Sequence, residues 1–415
     1  MTKQHTLLLL FVLLFLLLIG TGIAVDGPMK SLRGFWELQF LPSRLISDFI
    51  ELRGIGATLI NGSAVGIVAL LFILGSKVPF SGPTFAAIFT IVGFGFFGKT
   101  VVNILPIFFG VWLSARYAGK TFSQYLIIAL FGTALGPLVS TLAFEIGITG
   151  APAYLAAAAG GTLTGFLLPA LAISMLHLHQ GYNLYNIGLT CGFFGLFAAS
   201  FIRAGGHQFA PLSVWFRENP PVLILLVPVL SLLLILSGLI SEKGKAFKHF
   251  YAIRKHPGRL PSDFMELESV GGALVNAGIV GLLWSLYLLL IGAHFNGPVI
   301  GGLFTIIGFA TFGTHPKNSL PVLAGVVAST LLFGMEINAP GPVLAAIFAT
   351  TLGPLAGQFG PIMGFVAGFI HLVMVSFTGS WHGAMNLYNN GFAGGLTAAL
   401  LVAIIQWYQA NRAED

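Results

Sequence analysis

Two stretches of the chain carry a matched set of side chains able to exchange hydrogen bonds and protons. His179, Asn183, Tyr185 and Asn186 recur 203 residues later as His382, Asn386, Tyr388 and Asn389, followed in each copy by two glycines, Gly188 and Gly192 or Gly391 and Gly395. Both copies lie among apolar residues, where a polar side chain without a partner is costly. An imidazole titrates near neutrality and offers one donor and one acceptor when neutral, so the pair suits a hydrogen-bonding station for a neutral or protonatable solute. A zinc centre is disfavoured: no His-Glu-x-x-His run occurs and acids are absent nearby. The expectation is a solute-binding block, with no catalytic group, metal or cofactor.

Further polar residues recur inside apolar runs. Asn61 and Asn276, and Thr90 and Thr305, occupy equivalent places and join the candidate solute site; Asn103/Asn318 and Thr133/Thr350 are also paired. Such Asn side chains either glue helices together by hydrogen bonds or mark breaks where backbone N–H groups need caps. Asp48, Glu51, Asp263 and Glu266 precede a hydrophobic segment in both halves. They are read as first-turn acids favoured by the helix dipole, or as coupling-ion ligands in a vestibule at each membrane face. His177, His371 and Glu145 have no repeat partner and are weaker candidates.

The elements that must position these residues follow from composition. Of 415 residues, 56% are hydrophobic and only 8% charged, against about 25% charged in soluble domains. Apolar runs of about 20 residues indicate membrane-spanning helices, and no strand alternation points to a barrel. The single Cys191 excludes an internal disulfide. The formal charge of +6 comes largely from the linker 241–260, and no nucleic-acid motif is present.

The chain is a tandem duplication. Ser47-Asp48-Phe49-Ile50-Glu51-Leu52 returns as Ser262-Asp263-Phe264-Met265-Glu266-Leu267, and the match runs on at an offset of 215 through Gly82-Pro83 and Gly297-Pro298 to Gly110 and Gly325. Thr133, Gly136 and Pro137 recur as Thr350, Gly353 and Pro354 at offset 217, and the His-Asn block at 203, so the first copy carries extra residues around 141–157. Three regions are expected: a first membrane repeat, 1–205; a linker region, 206–262, holding the span 221–240 and a basic cytoplasmic loop, 241–262; and the remainder of the second repeat, 263–415.

Seven hydrophobic segments per half are counted, beginning with a retained span at 6–25. An odd number turns the second half over, the inverted-repeat plan of many transporters. The base-rich linker 241–260 is expected inside the cell, its balanced counterpart 26–54 outside, the loop with Arg116 and Lys120 inside, and the Glu336 loop outside. Lys99, placed outside by this scheme, runs against the trend. The short Gly/Pro-punctuated segments 82–98 and 298–313, and the His-Asn segments, are candidates for re-entrance: with both kinds re-entrant five crossings per half remain and the plan stays inverted, whereas with only one kind the count is even and the repeats parallel. The fold class is therefore an all-α integral membrane protein: a polytopic helical bundle of about 10–14 segments in two inverted-topology repeats with re-entrant or broken helices.

At its paired Ser-Asp-Phe-x-Glu-Leu, Phe-x-Gly-Pro and Asn-Leu-Tyr-Asn-x-Gly motifs, the chain resembles an uncharacterised bacterial family of duplicated membrane proteins, a domain of unknown function that implies no substrate. Its plan is similar to that of urea transporters, and its matched histidines are similar to those of ammonium channels, without either sequence signature. The expected function is a channel or secondary transporter for a small polar solute or ion, working between the repeats near the midplane of the cell's inner membrane. The expected partners are that solute and the lipid bilayer, with a homo-oligomer allowed and no nucleic acid. An intramembrane enzyme acting on a lipid and a non-transporting scaffold are the alternatives. No Walker phosphate loop is present to couple ATP.

Overall fold

A computed structural model describes residues 3–210 and 213–412. The fold is helical; among the described residues the one extended pairing is an isolated bridge between Ser47 and Val214. In the first repeat, α1 (Lys3–Asp26) is followed by a short amphipathic helix, α2 (Pro28–Leu38), and then by α3 (Phe49–Gly75). Next come α4 (Gly82–Phe94), α5 (Val101–Tyr117), a helix broken into α6 (Phe122–Gly132) and α7 (Gly136–Phe144), then α8 (Ala151–His179) and α9 (Asn186–Ala204). The second repeat follows the same order: α10 (Pro221–Ser241), α11 (Ala246–Ile253), α12 (Phe264–Leu267) with α13 (Val270–Leu290), α14 (Gly297–Phe309) and α15 (Pro316–Leu332). It ends with α16 (Pro340–Phe348), α17 (Gly353–Phe359), α18 (Pro361–Trp381) and α19 (Asn389–Arg412).

Ten of these helices, counting each broken pair as one, are long and apolar enough to cross a membrane, five in each repeat. Their outer faces expose Leu9, Leu13 and Leu16 on α1 and Leu225, Leu232 and Leu236 on α10, apolar surface of the kind lipid covers. The protein is a multi-pass membrane protein.

The odd helices out are α4 and α14. At 13 residues each and 1.5 Å per residue they reach about 20 Å, short of a core of about 30 Å. Both are almost wholly buried, and the turns that follow them, 95–100 and 310–315, are buried too. Each therefore turns back inside the protein into α5 or α15, so these two candidate segments are re-entrant. Five crossings and one re-entrant pair per half keep the parity odd.

The packing of equivalent residues gives the symmetry. A Cβ on Gly93 would lie 2.5 Å from the Gly301 carbonyl oxygen, and one on Gly308 would lie 2.8 Å from Ala86 Cα. Thus α4 and α14 run antiparallel, with the equivalent rings of Phe89 and Phe304 5.7 Å apart at the middle. Likewise α9 and α19 cross antiparallel at Gly188 and Gly391. Equivalent spans related by a two-fold that reverses their direction define inverted repeats. Lys3 pairs with Glu266 and Gln180 with Gln406, which puts the N-terminus, the end of the basic linker and the start of α9 at one end of the bundle. Arg44 binds Glu145, and Arg203 caps the carbonyls of Ser380 and Trp381, at the other.

Candidate functional site

The turn between α4 and α5 is held by Asn61, whose amide donates to the Gly95 carbonyl at 2.7 Å and the Lys99 carbonyl at 2.8 Å. Asn276 makes the same pair of bonds, to Ala310 at 2.7 Å and Thr314 at 2.8 Å. These amides satisfy carbonyls that a bilayer interior would otherwise leave orphaned. At the end of the first turn sits Lys99, fully buried. Its Nζ donates to Thr133 Oγ1 at 2.8 Å, in the break between α6 and α7, and lies 5.0 Å from the centre of the Phe94 ring. Among the described residues no carboxylate is within ion-pair distance of it. A Lys at bilayer centre costs roughly 3 kcal/mol on insertion scales. The topological misfit of Lys99 is thereby corrected: it is interior, not in an outer loop.

The His-Asn blocks meet beside this turn. His179 Nδ1 accepts from the Asn183 N–H at 3.2 Å, and His382 Nδ1 from the Asn386 N–H at 3.4 Å. With Nδ1 an acceptor, the proton sits on Nε2, which donates to Asn186 Oδ1 at 2.9 Å in the first block and to Asn389 Oδ1 at 3.0 Å in the second. Each imidazole is thus bonded within its own copy and not to the other. The groups that cross the two-fold are different ones. The Asn183 amide donates to the Gly391 carbonyl at 3.1 Å, the Asn386 amide to the Gly188 carbonyl at 3.3 Å, and the rings of Tyr185 and Tyr388 lie 5.2 Å apart. Their hydroxyls face Thr350 and Thr90, but neither closes a hydrogen bond of normal geometry, and Thr90 Oγ1 is also unpaired.

A cleft of about 420 Å³ leads to this pair of tyrosines. Its walls are mostly apolar, from Ile127, Phe131, Leu176, Phe309 and Phe312; Tyr185, Gly188 and Tyr388 are among its buried members, and Ile173, Leu176 and Pro261 are its exposed ones. The equivalent region across the two-fold is packed. There a Cβ on Gly379, the counterpart of Leu176, would touch Leu45, the counterpart of Leu260, at 3.4 Å. The segment around Val214 also lies over it, bonded to Ile46 and Asp48. The molecule is symmetric in plan and open on one side.

The sequence over residues 27–204 and 242–407 matches the family described as "Protein of unknown function (DUF1576)". The chain belongs to that family. The two matched regions fall one on each repeat, leaving out α1, α10 and the segment between the halves. No curated protein matches the chain, and no solved structure does.

The acids take separate places. Asp48 accepts from the backbone N–H groups of Ile50 at 3.0 Å, Phe216 at 3.1 Å and Gly297 at 3.2 Å. Asp263 mirrors it, accepting from Met265 at 2.9 Å and Gly82 at 3.0 Å. Each carboxylate therefore staples the start of the re-entrant helix in the opposite repeat, where the helix dipole favours negative charge. Burial pushes the Asp48 carboxyl up to about 7, against the pull of these N–H donors, and raises that of Asp263 as well. Glu51 and Glu266 are exposed, Glu266 paired with Lys3. Of the candidate solute-site residues, Tyr185, Tyr388, Asn183, Asn386 and Thr90 gather at the two-fold. His179 and His382 brace the blocks behind them, Asn61 and Asn276 hold the re-entrant turns, and Thr305 bonds its own helix at the Gly301 carbonyl, 2.9 Å away. Glu145, unmatched in the sequence, is paired bidentately with Arg44. Buried His371 bonds Asn390 Oδ1 at 3.0 Å. Sequence reasoning missed Lys99 as a site residue because it sought duplicated groups; the available signal was a base inside an apolar run whose repeat counterpart, Thr314, is neutral.

Proposed function

We propose that the protein is a channel or secondary transporter for a small polar solute or ion, with its site between the two repeats near the bilayer midplane. The observation that carries this reading is the junction at the two-fold. Two antiparallel re-entrant helices and two broken helices meet there, and Tyr185 and Tyr388, whose hydroxyls are buried without a hydrogen-bond partner, line a cleft. Unpaired polar groups cost free energy in an apolar interior, and a passing solute offers them partners. Irregular backbone at membrane depth is tolerated where protein buries it, and such breaks build the sites of inverted-repeat transporters. The packed counterpart of the cleft fits one half of an alternating-access cycle. The basic loop at the cleft's end of the bundle suits a cytoplasmic face, with the inner membrane as the proposed location.

A lipid-directed enzyme is the second reading. It is favoured by the apolar lining of the cleft and by Ile173 and Leu176, exposed on α8 at its edge.

Flux into proteoliposomes, followed by osmotic swelling over a panel of neutral and charged solutes, tests the proposal. Wild type is expected to pass at least one solute class, and His179→Ala and Asn386→Ala, which unbrace the two blocks, to slow it by roughly tenfold or more, the scale of one lost hydrogen bond to a charged or buried group. Equal flux in wild type and both variants makes the blocks structural.

A further inference from the structure

Lys99 is the buried amine that the two-fold symmetry does not explain. The second repeat builds the same turn with Thr314 in its place, and the Asn bonds that hold the two turns have the same lengths, 2.7 and 2.8 Å. Folding of the turn therefore does not require a lysine. Of the three donors an ammonium carries, one is used, on Thr133. The amine stands between Thr133, in the break of the α6–α7 helix, and the Phe94 ring. No carboxylate within ion-pair distance offsets it among the described residues. A cationic solute would be repelled from this point.

The same lysine adjoins the cleft. Its ammonium lies over the Phe94 ring, which packs at 4.7 Å against Tyr388, and Tyr388 forms the cleft's inner wall. Two aromatic rings, Phe94 and then Tyr388, separate the amine from the space, and the hydroxyl on the second has no hydrogen-bond partner. The space itself is apolar and lies within the range of small-molecule pockets.

Resting on the transport reading above, we propose that the solute is a small organic monoanion of the short-chain carboxylate type. Its apolar body occupies the cleft, and its charged head meets Lys99 and the Tyr388 hydroxyl when the Phe94 and Tyr388 rings give way. The anion supplies the countercharge that the protein lacks, and an inorganic anion without an apolar body gains nothing from the cleft walls.

Thermal unfolding of the purified full chain tests this with three probes sharing one butyl tail: butyrate, 1-butanesulfonate, which cannot be neutralised by a proton, and butylammonium. Ligands that bind only the folded state raise the midpoint saturably. Both anions are expected to do so and butylammonium not. Lys99→Thr, which copies the second repeat, is expected to weaken both anions by roughly 10- to 100-fold, the scale of a charge-assisted hydrogen bond, while unfolding no earlier than wild type without ligand. Tyr388→Phe keeps the ring and the charge and is expected to weaken the anions by a smaller factor, so the test survives a misfolded Lys99 variant. Equal stabilisation by butylammonium, no stabilisation by either anion, a chloride effect as strong as that of butyrate, or anion binding unchanged in both variants overturns the proposal. Anion binding without flux defeats the transport reading alone; flux of a neutral or cationic solute, undiminished in Lys99→Thr, defeats the anion assignment alone.

Discussion

The Asp48 carboxylate is held by backbone donors from three parts of the chain, its own helix start, the segment at Phe216 and the first turn of α14. Burial is the larger influence on its proton affinity and sets it near 7, from 3.8 for a free side chain. An acid whose folded value is raised keeps protons in the folded state that the unfolded chain releases. Its contribution to stability is thus fully present below pH of about 4 and is lost as pH rises towards 7. The unfolding midpoint of wild type is expected to fall between pH 4.5 and 7.5 (roughly that window), and Asp48→Asn, which does not titrate, to flatten the fall. Equal slopes for the two proteins would assign the dependence to other groups; Asp263, shifted upward for the same reason, acts in the same direction. At this scale the residue types were legible early. The Ser-Asp-Phe motif stood out by repetition, but its partner, the first N–H of a helix 249 residues away, did not, because local spacing carries no information on which repeat's helix a side chain caps.

Among the elements, the crossings on the two-fold set how tightly the halves meet. At Gly188 an added Cβ would stand 2.9 Å from Gly391 Cα and 3.0 Å from Tyr388 Cβ. Neither neighbour can rotate away, since one is backbone and the other is fixed to it. Gly188→Ala is expected to wedge α9 from α19 and destabilise the fold by about 1–3 kcal/mol, the usual cost of overpacking. It should also disturb the Asn386 bond to the Gly188 carbonyl. Comparison with Gly20, beside which a Cβ meets nothing within 4 Å, checks this: Gly20→Ala should leave the unfolding midpoint in place. A midpoint equally unmoved in Gly188→Ala would mean that the halves yield at this crossing. The break in the pattern at α4 was readable from length, since the apolar segment 82–98, at 1.5 Å per residue, falls short of the core. That α4 and α14 pair with each other was not, because both are apolar on all sides and hydrophobic periodicity gives no facing direction.

For the whole molecule, the contacts place Lys3, the loop at Lys120 and the basic linker at one end, and the Glu218 and Glu336 loops at the other. In a Cys191→Ala background, single cysteines at Lys120 and Lys248 should share one accessibility to a membrane-impermeant maleimide, and those at Glu218 and Glu336 the opposite one. All four residues are exposed, so labelling reads sidedness alone. Labelling of Lys120→Cys together with Glu336→Cys would break the inverted plan.

By itself the sequence determined the membrane class and the duplication, since apolar length and repeated motifs are one-dimensional properties; the odd parity waited on which segments turn back inside the protein. The sequence also marked the His-Asn blocks, because their spacing survives duplication. Only the tertiary structure decided that the histidines brace their own copies while the tyrosines meet, that one cleft stands open while its counterpart is packed, and that Lys99 is buried beside the junction. These depend on how two copies of nearly the same polymer settle against each other across an axis. The differences between the copies, Lys99 against Thr314 and Leu176 against Gly379, acquire meaning only once that axis is known.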